Sequence, residues 1–134
     1  MKKRVLYVED NPRNMVLIKR IMLADGYDFL EATDGQMGWE TAVREQPDLI
    51  LMDLHLLGDL SGFELTHRLR QNPQFQATPI IALTAYNSAA VETQAREAGC
   101  DDFLTKPANI RQIRAVVSQY IDPTTNTAAF ISAY

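Results

Sequence analysis

The sequence predicts an α/β protein: a (βα)5 chain whose five strands form a doubly wound parallel sheet. Three observations predict it. Short strand-like segments of three to five residues, rich in Val, Ile, Leu, Tyr and Phe, recur without helical spacing. Longer stretches between them carry apolar residues at helical spacing, and caps, Gly and Pro punctuate the boundaries. Parallel neighbours need a crossover, and a crossover helix covers the sheet, so both faces of such a sheet are packed.

Residues 4–8 form the first strand. Asn11 then caps a helix with Pro12 at its first position, Leu17, Ile18 and Ile21 give it an apolar stripe, and Gly26 closes it. The second strand is 28–32. Asp34-Gly35 opens the second helix, which carries Trp39, Ala42 and Val43 and stops before Pro47. Residues 49–52, the most apolar run, make the third strand and end against Asp53. A third helix starts near Gly62, sets Leu65 and Leu69 one turn apart and ends by Asn72-Pro73. The fourth strand is 80–83; Ser88 caps a weakly apolar helix that runs through Ala98 to Gly99. The fifth strand is 102–104, and Ile110, Ile113, Val117, Tyr120 and Ile121 stripe the last helix.

Within 134 residues there is room for one domain, expected over 1–121. Residues 122–134 turn small and polar before Phe130 and Tyr134, and read as a tail with no output domain, either a frayed end or a small docking or dimer contact. The net charge of −4 and a single basic cluster, Lys2, Lys3 and Arg4, argue against direct nucleic-acid binding. No apolar run approaches the roughly 18 residues of a membrane span, and Glu9-Asp10-Asn11-Pro12 interrupts the first apolar run too early for a secretory signal. A single cysteine, Cys100, following Gly99, suits inert packing, and cytoplasmic residence is expected.

In a doubly wound sheet, ligands and chemistry gather at the carboxyl ends of the strands, near the point where strand order reverses. Here those ends are followed by Glu9 and Asp10, by Asp53, by Thr84, and by Thr105-Lys106-Pro107. Each has an ordinary reading alone: an acid pair before Asn-Pro as a cap, a Thr as a turn former, a Lys as a solvated charge. Together they are three acids, a hydroxyl and an ammonium at matching positions. Three close carboxylates repel one another and call for a hard cation, which Mg2+ fits because it takes one or two carboxylates and keeps positions for water and phosphate. Lys106 adds a point charge suited to a phosphate oxygen, and Asp53 becomes a candidate nucleophile toward phosphorus.

The segments VLYVEDNP, PDLILMDLHL, PIIALTA and AGCDDFLTKP resemble the signatures of response-regulator receiver domains, the CheY-like family of two-component signalling, across residues 3–121. The resemblance implies a flavodoxin-like sheet of order 2-1-3-4-5 and a phosphoprotein whose acceptor is Asp53. Asp10 and Asp53 would ligate Mg2+ directly, Glu9 through water, and the His55 backbone carbonyl would add an oxygen. Thr84 and Lys106 would hold the phosphoryl oxygens. Thr84 and Phe103 would form a switch that repacks the face of helix four, strand five and helix five. His55 and Tyr86 would tune phosphoryl lifetime, a bulky Tyr86 shielding the adduct from water so that Tyr86→Ala hydrolyses faster. The implied partners are a histidine kinase or phosphotransfer protein and an unknown downstream protein. The chain would be a monomer, or a weak homodimer through the switch face, that signals or relays the phosphoryl group and catalyses only its own phosphorylation and dephosphorylation. The Lys106-Pro107 bond resembles one that is cis in the family.

The family pattern is broken after the acceptor. Gly62 lies nine residues beyond Asp53 where eight is usual, and Leu57 stands where Pro is usual, so the loop into helix three is expected to be reshaped, with Gly58-Asp59 forming a turn. Asp59 could approach the metal. His67 reads as solvated, and the His55 ring as orienting or solvated rather than metal-bound. Two other functions compete. A haloacid-dehalogenase-type phosphatase needs a second acid where His55 stands, and a pseudo-receiver binding module would typically lack the acid pair or Lys106, both of which are present.

Overall fold

Strands apolar on both faces end up at the centre of the sheet, because only there are both faces covered. The computed structural model, which describes residues 2–86, 88–106 and 109–121, shows this. Its elements are β1 (Arg4–Val8), α1 (Pro12–Ala24), β2 (Asp28–Ala32), α2 (Gly35–Glu45), β3 (Leu49–Asp53), α3 (Gly62–Gln71), a 3-10 turn (Pro73–Phe75), β4 (Ile80–Thr84), α4 (Ala89–Ala98), β5 (Asp102–Thr105) and α5 (Ile110–Tyr120). The sheet order is β2-β1-β3-β4-β5 with every pairing parallel. All residues of β3 and β4 are buried, whereas the edge strands are only partly so.

Successive side chains of a strand point to opposite faces, so the sheet carries two cores. Leu6, Val8, Ile50, Met52, Ile80 and Ala82 face α2, α3 and α4, packing on Leu65, Leu69, Phe75 and Ala95. Val5, Tyr7, Leu49, Leu51, Ile81 and Leu83 face α1 and α5, packing on Ile18, Met22, Ile113 and Val117. Strand order reverses between β1 and β3, which lie side by side with Val8 opposite Met52. The residues that follow, Glu9 and Asp10 from one strand and Asp53 from the other, therefore share one end of the sheet.

Asn11 caps α1 by accepting from the Arg13 and Asn14 N–H groups, and Ser88 caps α4 by accepting from Val91. Reciprocal capping boxes, Ser61 with Glu64 and Asn109 with Gln112, start α3 and α5. Gly99, at φ +118°, closes α4 in the left-handed conformation that favours glycine.

Several expectations needed correction. The third, fourth and fifth strands each run one residue further, taking in Asp53, Thr84 and Thr105, because the ladder continues through Leu54 N–H to Leu83 O and Lys106 N–H to Thr84 O. Leu17 and Ile110, expected in apolar stripes, are exposed, as is Val43 of the second helix. Met15, Ile18, Ile21 and Met22 carry the buried face of α1, and Ile113, Val116 and Val117 that of α5. The 3-10 turn was not anticipated, and its Phe75 is a buried core residue. Cys100 is buried near Thr66, and burial pushes its thiol up to about 11, so it is a packing residue as expected. Among the described residues, no helix is long and apolar enough to cross a membrane. The tail at 122–134 and the Lys106-Pro107 bond lie outside the described residues.

Candidate functional site

The acids converge. Glu9, Asp10 and Asp53 each offer a carboxylate oxygen, all within 4.8 Å of one another, with Glu9 and Asp53 buried and Asp10 half-buried. A set of hard oxygens at one point is the donor chemistry Mg2+ requires, and the half-buried Asp10 leaves a side open to solvent. Lys106 comes from the end of β5 to the same point, with Nζ 2.6 Å from Glu9 Oε1 and 3.5 Å from Asp53 Oδ1. Asp53 Oδ1 also accepts the His55 N–H at 3.1 Å.

Glu9 is the most enclosed of the three. Its Oε1 accepts from the Tyr7 hydroxyl at 2.6 Å and from Asn14 Nδ2 at 3.3 Å, and its Oε2 accepts from the Asn11 N–H. Burial alone would raise this carboxyl, but hydrogen bonds from Asp53 in its protonated form, from Lys106 and from Tyr7 outweigh it and hold Glu9 down to about 2. Asp53 moves the other way: burial, reinforced by the Glu9 carboxylate, pushes it up to about 6 against the pull of Lys106 and the His55 N–H. Burial and Glu9 together keep the Tyr7 phenol far above its ordinary range, so it remains a donor. Without a cation, Lys106 balances only part of this charge, and Asp53 carries the residual penalty.

Thr84, at the end of β4, is fully buried. Its Oγ1 accepts the Tyr86 N–H at 3.1 Å and lies 3.0 Å from His55 Nε2. The His55 ring meets Tyr86 edge-on at 4.4 Å between centroids and Phe63 of α3 at 5.6 Å. Burial, with Lys106 adding to it, lowers the pKa of this imidazole, so the neutral ring is favoured. Tyr86 itself is 58% exposed, a cover over the His55 side of the site. Phe103 is half-buried, pairs with Ala82 across the ladder and packs on the core under α4.

The lengthened loop behaves differently from expectation in one respect. Asp59 is not brought to the acids: it is exposed and lines a cleft beside the start of α2 with Asp34, Gly35 and Gln36. What reaches the acids is main chain, the Leu57 N–H donating to Asp10 Oδ2 at 2.9 Å. Gly58, at φ +103°, makes the turn, and the Leu57 side chain is left 80% exposed. Gly62 returns the chain to α3 so closely under Asp53 that a Cβ there would sit 2.1 Å from the Asp53 carbonyl oxygen. His67 is exposed, near Gln71, and away from the site.

Four participants were not singled out from the sequence: Tyr7, Asn14, Phe63 and the Leu57 N–H. Tyr7 was the one with a signal. A phenol buried in an apolar run needs a hydrogen-bond partner, and the nearest polar side chain in sequence is Glu9, two residues on and on the same side of the strand.

The family model described as the response regulator receiver domain matches residues 5–118. Polar-differentiation response regulators DivK from Brucella anthropi and Brucella ovis are each 33% identical over 121 residues, covering 90% of this chain and 98% of theirs. Among solved structures, a response regulator from Chloroflexus aurantiacus superposes with a TM-score of 0.85 at 26% identity, covering 90% of this chain and 98% of that one. The receiver domain of a sensor histidine kinase from Pseudomonas aeruginosa, solved with a magnesium ion coordinated in its active-site cleft, gives a TM-score of 0.83 at 31% identity with the same coverage.

Proposed function

Because this chain belongs to the response regulator receiver domain family, we propose that Asp53 accepts a phosphoryl group from the phosphohistidine of a histidine kinase or phosphotransfer protein, in an Mg2+-dependent step. The observation that carries the reading is the meeting of Asp53, two further acids and Lys106 at one point, drawn from the ends of three strands. An Asp53 oxygen attacks phosphorus, the P–N bond breaks, and the released histidine nitrogen keeps the electron pair. Mg2+, held by Asp10, Asp53 and the His55 carbonyl with Glu9 acting through water, would neutralise charge on the phosphoryl oxygens. Lys106 stands ready to exchange part of its contact with Glu9 for a phosphoryl oxygen, and the Thr84 hydroxyl donates to another. The chain acts only on its own carboxylate and turns over no separate substrate.

Signalling follows from repacking. A phosphoryl group draws Thr84 toward Asp53, and Phe103 turns into the space released, which changes the face of α4, β5 and α5. The support for α4 as the responsive element is its shallow anchoring: of its ten residues only Ala95 is buried. That face is where a downstream protein, or weakly a second copy, would read the state; onward relay to another histidine is the other fate of the group.

The test is exposure to a small phosphodonor such as acetyl phosphate, with and without Mg2+, read by intact mass for wild type and Asp53→Asn. A single adduct on wild type alone, dependent on Mg2+, is the expected result. Multiple turnover of phosphoesters would point instead to a phosphatase, and no adduct in either protein to a pure binding module.

A further inference from the structure

We infer that the His55 ring is a latch that holds the Thr84 hydroxyl in its resting position, so that phosphorylation of Asp53 must break a specific His55–Thr84 hydrogen bond before the switch can turn. The inference rests on the phosphoacceptor reading above and goes beyond it by naming what opposes the switch.

Thr84 Oγ1 is engaged on two sides, by His55 Nε2 at 3.0 Å and by the Tyr86 N–H at 3.1 Å. A phosphoryl oxygen accepts hydrogen bonds and donates none: where the His55 ring accepts the Thr84 O–H, Thr84 must give that bond up to serve it, and where Nε2 donates, Thr84 Oγ1 must leave it to move toward Asp53. The exposed His55 ring meets Tyr86 edge-on at 4.4 Å and Phe63 at 5.6 Å, and the His55 backbone N–H donates to Asp53 Oδ1. These contacts favour one ring position beside Thr84, which the hydroxyl leaves as it moves toward Asp53. Phe63 belongs to α3, so the latch also connects the end of β4 to the helix that follows the lengthened loop. His55 is in this sense a positioning residue, acting on the phosphoryl group through Thr84.

The test is a titration of beryllofluoride, in the presence of Mg2+, followed by fluorine NMR of the adduct on Asp53. His55→Phe keeps the ring and its two edge contacts but removes the ring nitrogens. It is expected to bind beryllofluoride about two- to tenfold more tightly, the worth of one neutral hydrogen bond. His55→Gln, whose amide can reach the hydroxyl, is expected to return within about twofold of wild type. In a Thr84→Ala background the same His55→Phe change is expected to have no effect, since the partner is gone. A second readout needs no ligand: the Thr84 methyl resonance of His55→Phe should move toward its position in the beryllofluoride-bound wild type. Unchanged or weaker binding by His55→Phe, or equal tightening with and without the Thr84 hydroxyl, overturns the latch. If wild type forms no adduct, or Asp53→Asn forms one, the phosphoacceptor reading falls with it. A wild-type adduct with no effect of His55→Phe removes the latch alone.

Discussion

Asp53→Asn is expected to make the protein more stable at neutral pH while abolishing phosphorylation. Burial and the Glu9 carboxylate push Asp53 from 3.8 to about 6, so at pH 7.5 the fold must ionise a group that it holds less well than the unfolded chain does. At about 1.4 kcal/mol per pK unit, the whole displacement corresponds to roughly 3 kcal/mol. Glu9 and Asp53 titrate as a coupled pair, with Glu9 displaced the opposite way, so the displacement belongs to both, and an increase of about 1–2 kcal/mol is the expectation for the variant. The sign follows from the raised value. Asp53 is harmless well below pH 4, where it is protonated in both states; its penalty builds between about pH 4 and pH 6 and is complete above that. Urea denaturation in EDTA at pH 4, 6 and 7.5 measures this. The Asp53→Asn midpoint should exceed the wild-type midpoint by about 0.5–1 M at pH 7.5 and by only a small fraction of that at pH 4. Added Mg2+ should narrow the gap by stabilising wild type more than the variant. Equal midpoints at pH 7.5, or a gap that persists undiminished at pH 4, would refute the claim that an ionised Asp53 is what strains the site.

Tyr7→Phe removes a buried donor to an ionised carboxylate, and should lower unfolding free energy by about 1.5–3 kcal/mol in urea at pH 7. Gly62→Ala places a Cβ 2.1 Å from the Asp53 carbonyl oxygen, so a loss of more than about 2 kcal/mol is expected together with slower labelling by acetyl phosphate; unchanged stability would mean that the loop can retreat without effect. Leu57→Pro removes the N–H that donates to Asp10, whereas Leu57→Ala keeps it. A several-fold weaker Mg2+ affinity by calorimetry is expected for the proline variant only, and equal affinities would show that this hydrogen bond does not orient Asp10.

The alternation of elements, the parallel sheet and the grouping of Glu9, Asp10, Asp53, Thr84 and Lys106 were all legible in the amino-acid order. The reason is geometric. A strand buried on both faces is written as an uninterrupted apolar run, and in a doubly wound sheet the residue after each run is delivered to the same end of the molecule. Leu49 to Met52 could be read as central, and Asp53 as presented at the rim, without coordinates. Leu17 and Ile110 misled because helical periodicity locates a stripe but not its edge, and a residue at the border of the stripe can fall on either side of the packing seam.

What the chain order could not contain is how the converging groups pair once they meet. That Lys106 sits closer to Glu9 than to Asp53, that Tyr7 closes the far side of Glu9, and that Thr84 is shared between His55 and the Tyr86 N–H are matters of ångströms between residues up to 97 positions apart. The lengthened loop makes the same point. Counting residues reveals one too many before Gly62, but only the folded path decides that Asp59 turns away while a main-chain N–H takes the place beside Asp10. Periodicity and composition act locally and are written along the chain; hydrogen-bond partners are chosen by competition within a crowded pocket, and that competition exists only after the strands have been brought side by side.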